Sequence, residues 1–235
     1  MKQIIALGGG GFSMEPENPL LDLYILQQTG RPRPKVCFFP HATDDALRYV
    51  NKFFIAFTQL DCIPSTLSLY QIPPMLNMEN FLLGQDAIYV GGGNTKSMLA
   101  LWRAWNLDVI LRKCYDAGVL LAGISAGANC WFEEFVTDSA TPELNVMKNG
   151  LGFLLGSFCP HYDGEPLRRQ TYQRMIANNE IKDGLACEDG AAAHYVDGAL
   201  VRVVSSRANA KAFTLRRVDN KDEEQPINSH YLGIG

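Results

Sequence analysis

The chain has 235 residues, of which 47% are apolar and 20% charged; this composition excludes an intrinsically disordered protein and supplies enough material for a sizeable core. A formal charge of −4 with scattered Lys and Arg leaves no basic stripe for a phosphate backbone, so nucleic acid is excluded as an expected partner. The N-terminal apolar run breaks at four glycines, too soon for a signal-peptide core or a membrane span, so a cytoplasmic protein with no membrane partner is expected.

Taken in chain order, the first predicted strand is Gln3 to Leu7, ending in the turn LGGGG. A second covers Val36 to Phe39 and stops at Pro40-His41; a helix follows over Asp45 to Gln59, with Phe53, Phe54 and Phe57 at core spacing. Further strands are predicted over Ile63 to Leu69, over Ala87 to Val90, which ends in VGGGNT, and over Val119 to Ala122, which ends in GISAG. Helical periodicity fills Ser97 to Tyr115 between the last two. Short, nearly continuous apolar runs are what strands buried on both faces require, and their alternation with helices predicts an α/β fold with a doubly wound, mostly parallel sheet.

Later in the chain, AAAHYV and ALVRVVSS flank Asp197-Gly198, a pair suited to a type I′ hairpin turn, and KAFTLRRV reads as another strand, so a C-terminal antiparallel β extension is expected. The acidic DNKDEEQP segment reads as a solvated turn. No repeat or linker divides residues 1–235, and one α/β domain is expected. The cysteines, Cys37, Cys62, Cys114, Cys130, Cys159 and Cys187, form no C-x-x-C pair and sit in apolar surroundings, which predicts buried reduced thiols rather than disulfides or zinc. Trp102 and Trp105 fit either the core or a homodimer surface, with core the safer assignment.

Three strands end in glycine or small polar residues, and ligands of open α/β sheets bind beyond the carboxyl ends of strands. Gly123 to Gly127 matches G-x-S-x-G, in which flanking glycines let the chain turn sharply enough to raise the Ser125 hydroxyl above the sheet, with the Ala126 N–H aimed at a developing oxyanion. The competing reading is that Gly123 and Gly127 only permit close packing of helix on strand. Among His41, His161, His194 and His230, His161 is the best base, because FCPHYDGE follows the apolar stretch Leu151 to Phe158 as the mouth of a strand would. His41, at the end of the second strand, is a candidate substrate contact; His194 lies in the hairpin, and His230 reads as exposed.

VGGGNT, GISAGA, HYDGE and EDGAA, in that order, resemble the peptidase E family of serine peptidases, which includes aspartyl dipeptidases and cyanophycinases, and the similarity is nearest to a peptidase E-like bacterial branch. The resemblance covers most of the chain. It implies a class I glutamine amidotransferase-like (flavodoxin-like) fold, Ser125 as nucleophile, His161 as base, and an oxyanion hole made by the glycine turn, Gly92 and Gly93, together with Ala126. Small peptides cleaved after an acidic residue are the implied substrates, with no metal or cofactor. Asn94 and Thr95 are suited to capping the helix that opens there, and Asn94, Arg168 and Arg169 are candidate substrate contacts, the arginines as forks for a carboxylate. The triad acid is assigned to Glu188 with Asp138 as rival, while Asp163 and Asp189 read as solvated turn carboxylates.

Two other classes remain. An α/β-hydrolase esterase uses the same elbow but places its histidine last, which leaves only His230. A binding protein without catalysis would use the LGGGG turn for nucleotide phosphates, or the same crevice for acidic peptides.

Overall fold

A computed structural model describes residues 1–70 and 77–233. The predicted strands Gln3–Leu7 (β1), Lys35–Phe39 (β2), Ile63–Thr66 (β3), Ala87–Val90 (β4) and Leu120–Ile124 (β5) form within a residue or two of expectation, except that the third ends three residues early. Between them run α1 (Gly11–Met14), α2 (Leu20–Gln28), α3 (Ala46–Phe57), α4 (Met78–Leu83), α5 (Thr95–Ala104) and α6 (Leu107–Ala117), and α7 (Ala126–Asn129) follows β5. The helix expected over Ser97 to Tyr115 is thus two helices. Asn106 breaks it with a left-handed φ of 52°, a conformation that asparagine tolerates better than most residues.

The remainder comprises β6 (Phe132–Thr137), β7 (Asn145–Met147), β8 (Leu154–Cys159), α8 (Arg168–Ala177), β9 (Gly184–Cys187), β10 (Ala191–Val196), β11 (Ala199–Ser205), β12 (Ala212–Val218), β13 (Lys221–Ile227) and β14 (His230–Tyr231). Among the described residues one sheet has the order β14-β11-β10-β1-β5-β4-β2-β3, and a second has the order β13-β12-β9-β8-β6-β7. The run β1-β5-β4-β2-β3 is parallel throughout, as the uninterrupted apolar runs predicted. The hairpin β10–β11 extends this sheet antiparallel to β1, and its turn residues Asp197 and Gly198 have φ of 48° and 84°, as a type I′ turn requires.

KAFTLRRV forms the expected strand, β12, which pairs antiparallel with β9 in the second sheet. One expectation needs correction. DNKDEEQP is no solvated turn: Asp219 and Asn220, both at positive φ, turn the chain into β13, which pairs along β12. An edge strand with one solvated face tolerates this acidity, and Glu224 is drawn inward by Tyr162, Arg169 and Gln173.

Alternation along β1 sends Ile4 and Ala6 to one face and Ile5 and Leu7 to the other, into separate core clusters. The first face is covered by Trp102, Trp131 and the second sheet's Phe135 and Phe158, and the other by Phe53 and Phe57 of α3 and Tyr24 of α2. Trp102 is fully buried, as core. All six cysteines are free and buried, and burial pushes the thiols up, to about 12 for Cys37 and about 11 for Cys62. Among the described residues no helix is long and apolar enough to cross a membrane.

Asp22, in the first turn of α2, is buried, and its Oδ1 has no hydrogen-bond partner among the described residues. Burial pushes its carboxyl up from 3.8 to about 7. The folded chain therefore holds a proton that the unfolded chain releases between those values, so stability declines as pH rises from about 4 to about 7 and the deficit is complete above that. Asp22→Asn is expected to gain stability over the wild type at pH 8, with a ceiling on the order of 4 kcal/mol. The difference should shrink toward pH 4, as urea titrations at the two pH values will measure.

Candidate active site

β1, β4 and β5 end on the same edge of the first sheet, with Leu7 beside Ile124 and Val90 beside Gly123. Their glycine-rich turns therefore meet. At the end of β5 the chain reverses through Ser125, which has φ 56° and ψ −116°, a conformation that costs a non-glycine residue on the order of 1–3 kcal/mol. The glycines on either side are obligatory: a Cβ on Gly123 would lie 2.1 Å from the Gly127 carbonyl oxygen, and one on Gly127 would lie 2.2 Å from that of Val90. Ser125 occupies the N-cap position of α7, yet its hydroxyl makes no capping bond. The usual N-cap serine spends its oxygen on the helix; here the oxygen is left for other chemistry.

His161 enters from the second sheet, two residues beyond β8. Its N–H donates to the Gly8 carbonyl at 3.2 Å, while the Ser125 N–H donates to the preceding carbonyl, that of Leu7, also at 3.2 Å. One turn of β1 thus tethers both residues. Nδ1 of His161 lies 2.7 Å from Oδ1 of Asp189. An ionised carboxylate only accepts, so the proton belongs on Nδ1, and Nε2 keeps its lone pair. No hydrogen bond joins Ser125 Oγ to His161 among the described residues; such contacts are often loose in an unliganded site.

The acid beside His161 is therefore Asp189, not Glu188 or Asp138. Glu188 faces the other way, its carboxylate accepting the Lys211 N–H at 2.8 Å. Asp138 is exposed beyond β6, one residue before Ser139, which binds the start of α5. Asp189 is anything but a solvated turn residue: it is buried, its N–H donates to Asp163 at 2.8 Å, and Gly9 and Gly164 crowd its carboxylate. Burial pushes this carboxyl up, but His161, with Arg207 and Arg168 beyond, outweighs it and holds it below the usual carboxylate range.

The LGGGG turn has its explanation here. A Cβ on Gly8 would lie 2.4 Å from the Cys187 and Glu188 carbonyl oxygens, and one on Gly9 would lie 2.0 Å from Asp189 Oδ1 and 3.0 Å from His161 Nδ1. The space is filled by carbonyls and a carboxylate, which repel a phosphate, so these glycines serve close packing of β1 against the His–Asp pair. Gly9→Ala should accordingly displace the carboxylate, a mobile side-chain end, more than the fold. We expect kcat/KM to fall on the order of 100-fold with little change in Tm, measured by peptide turnover beside thermal melting.

The glycine turn after β4 touches the elbow, since a Cβ on Gly92 would sit 3.2 Å from Ser125 Cβ. The Gly92 N–H, assigned from the sequence to the oxyanion hole, is instead given to the Tyr49 hydroxyl at 3.2 Å. Among the described residues the N–H groups of Gly93 and Ala126 have no acceptor. Asn94 is a cap whose polar atoms are engaged, its Oδ1 accepting from the Ser97 N–H at 2.8 Å and its Nδ2 donating to the Ser139 carbonyl at 3.0 Å, and it also lines the cavity beside the turn.

The two arginines are also committed. Arg168 is buried against Glu165, and Arg169 is paired with Glu224 and lies over the Tyr162 and Phe213 rings. Arg168 closes the histidine loop on itself, and Arg169 braces it against β13 of the second sheet. His41 is no free base, for Nε2 meets the Leu67 carbonyl at 2.9 Å, Nδ1 accepts from Trp102 at 2.9 Å, and burial pushes it down to about 4, although it does line the cavity beside the turn. His194 is buried between Tyr24 and Gln3, and His230 is exposed on an edge strand. A cavity of about 550 Å³ opens beside the turn, lined by Ala42, Asp44, Tyr70, Gly93, Asn94 and Ser97 among others.

The model of peptidase family S51 matches residues 4–203. The uncharacterized peptidase YgaJ of Bacillus subtilis (strain 168) is 53% identical over 233 residues, which cover 99% of this chain and 100% of that one. Among solved structures, a peptidase from an acI-B1 Actinobacterium superposes with a TM-score of 0.70 at 14% identity, covering 97% of this chain and 95% of its own. A putative peptidase E protein from Listeria monocytogenes EGD-e gives a TM-score of 0.58 at 19% identity, over 97% and 100% of the two chains.

Proposed function

The chain belongs to peptidase family S51 and is a serine-type peptidase, and from that premise we propose that it hydrolyses short peptides through Ser125, His161 and Asp189 by way of an acyl-enzyme. The observation that carries the reading is the withheld Ser125 hydroxyl on a strained elbow, tethered to the same turn as a buried His–Asp pair.

In the first half-reaction, Nε2 of His161 takes the hydroxyl proton as Ser125 Oγ bonds to the substrate carbonyl carbon. The resulting oxyanion is received by the N–H groups of Gly93 and Ala126. Collapse breaks the C–N bond, and the imidazolium returns its proton to the departing amine. Water, deprotonated by the same nitrogen, then attacks the ester and releases the acid and the free serine. Asp189 holds the imidazole in the Nδ1–H tautomer and offsets the charge it acquires.

An acidic residue on the acyl side is the expected preference, and with Arg168 and Arg169 engaged it would have to be read by other groups. The test is a panel of Asp-X, Glu-X, isoaspartyl and neutral dipeptides, run with and without pretreatment by a fluorophosphonate. Cleavage that disappears in step with a single adduct at Ser125 is the expected result, and the panel ranks the preference. Cleavage that survives complete modification of Ser125, or no cleavage and no adduct, would overturn the reading.

A further inference from the structure

Four successive N–H groups run through the turn after β4, and three have fixed acceptors. Gly91 donates to the Phe39 carbonyl at 3.0 Å, Gly92 to the Tyr49 hydroxyl at 3.2 Å and Asn94 to the Ala42 carbonyl at 2.6 Å. Only that of Gly93 has none among the described residues. Gly93 has φ 133°, open in practice to glycine alone, and a Cβ there would lie 2.2 Å from the Ala42 oxygen. The Ala42 side of the turn is thus held by backbone, while the Ser125 side is held by one side chain.

That side chain is itself held firmly. The Tyr49 ring packs against Phe38 and Phe12 with centroids 5.0 and 5.7 Å away. It lies so close to the turn that a Cβ on Gly91 would be 2.6 Å from its Cε1. Its hydroxyl donates to Ser13 Oγ at 2.9 Å, so its lone pair faces Gly92. Burial pushes the phenol pKa up, which favours the protonated, donating form.

We propose that Tyr49 is a positioning residue of the oxyanion turn: by binding the Gly92 N–H it fixes the peptide beside Ser125 and leaves the Gly93 N–H, with that of Ala126, as the donor pair. The proposal rests on Ser125 being the nucleophile. Tyr49 touches neither substrate nor reacting atoms; it acts through Gly92. Without its hydroxyl the Gly92 peptide would be free to rotate, and the neighbouring donor would lose its aim. Preorganised donors lose much of their value with small displacements, because the reorganisation is then borne in the transition state.

The test is Tyr49→Phe, which keeps the ring and its packing. Expected is a fall in kcat on the order of 10-fold, with KM altered less than about 3-fold. The affinity of a peptide boronate, which becomes tetrahedral on Ser125, should fall by the same factor as kcat while Tm stays within a few degrees. Ser13→Ala, which removes the acceptor that orients the hydroxyl, should shift kcat and boronate affinity the same way by a smaller factor. Unchanged kcat and boronate affinity in a folded Tyr49→Phe protein would overturn the proposal, as would a loss confined to KM. Failure of the underlying reading has a separate signature, in which Ser125→Ala turns over as the wild type does.

Discussion

Ser125→Ala should fold as the wild type does and lose peptide turnover by a factor on the order of 10⁶ in kcat. On the proposed mechanism the size of the loss follows from what would remain: the donors of Gly93 and Ala126 and the binding surface would still stabilise a tetrahedral intermediate, but water would have to replace a tethered hydroxyl, and His161 would have no proton to take from the chain. A control built on the backbone accompanies it. Ser125 holds φ 56° and ψ −116°, a strain that alanine keeps and glycine relieves. Ser125→Gly should therefore be as inactive as Ser125→Ala and yet melt at higher temperature, by an amount corresponding to about 1 kcal/mol. Inactivity with a rise in Tm would separate the chemical role of the hydroxyl from the structural role of the turn. Turnover of a reactive ester or dipeptide, read beside thermal melting of the three proteins, decides it.

The second large effect belongs to Asp189. Asp189→Asn should lower kcat on the order of 10⁴-fold, because an amide in this place can present an N–H to Nδ1 and favour the tautomer whose proton is on Nε2, the nitrogen that must accept. Glu188→Gln and Asp138→Asn should stay within a few-fold of the wild type, since neither carboxylate reaches His161. Equal losses at positions 188 and 189 would reject the assignment of the acid. The contrast is sharp because the residues are neighbours in sequence with opposite side-chain directions.

That same contrast marks the limit of what the sequence revealed. The parallel strands were legible because Ile4 to Leu7 or Ile88 to Val90 can be apolar throughout only if both faces are covered. The elbow was legible because GISAG joins a buried run to a helix start. Which acid serves His161 was not legible: in EDGAA a one-residue change of register exchanges the faces of Glu188 and Asp189, and the register is set by β9 pairing with β12 and by the Gly9 contact, both distant in sequence. Burial of Asp189 under Gly9 and Gly164 likewise arises only from tertiary approach. Arg168 and Arg169 resemble an exposed helix face until β13 brings Glu224 beneath Arg169, and β13 itself was hidden by its acidity. Tyr49 gave no signal at all, since a tyrosine among phenylalanines on an amphipathic helix reads as core, which its ring is.

Ser125 hangs from one sheet, whereas His161 and Asp189 hang from strand ends of the other, and the turn after β1 binds all three together. A chain cut before residue 159 would keep β1 to β5 and the elbow but have neither His161 nor Asp189 to seat against Gly8 and Gly9. On the proposed mechanism, neither sheet carries the chemistry alone, and loosening one sheet from the other would disarm the site while leaving Ser125 on its strained turn.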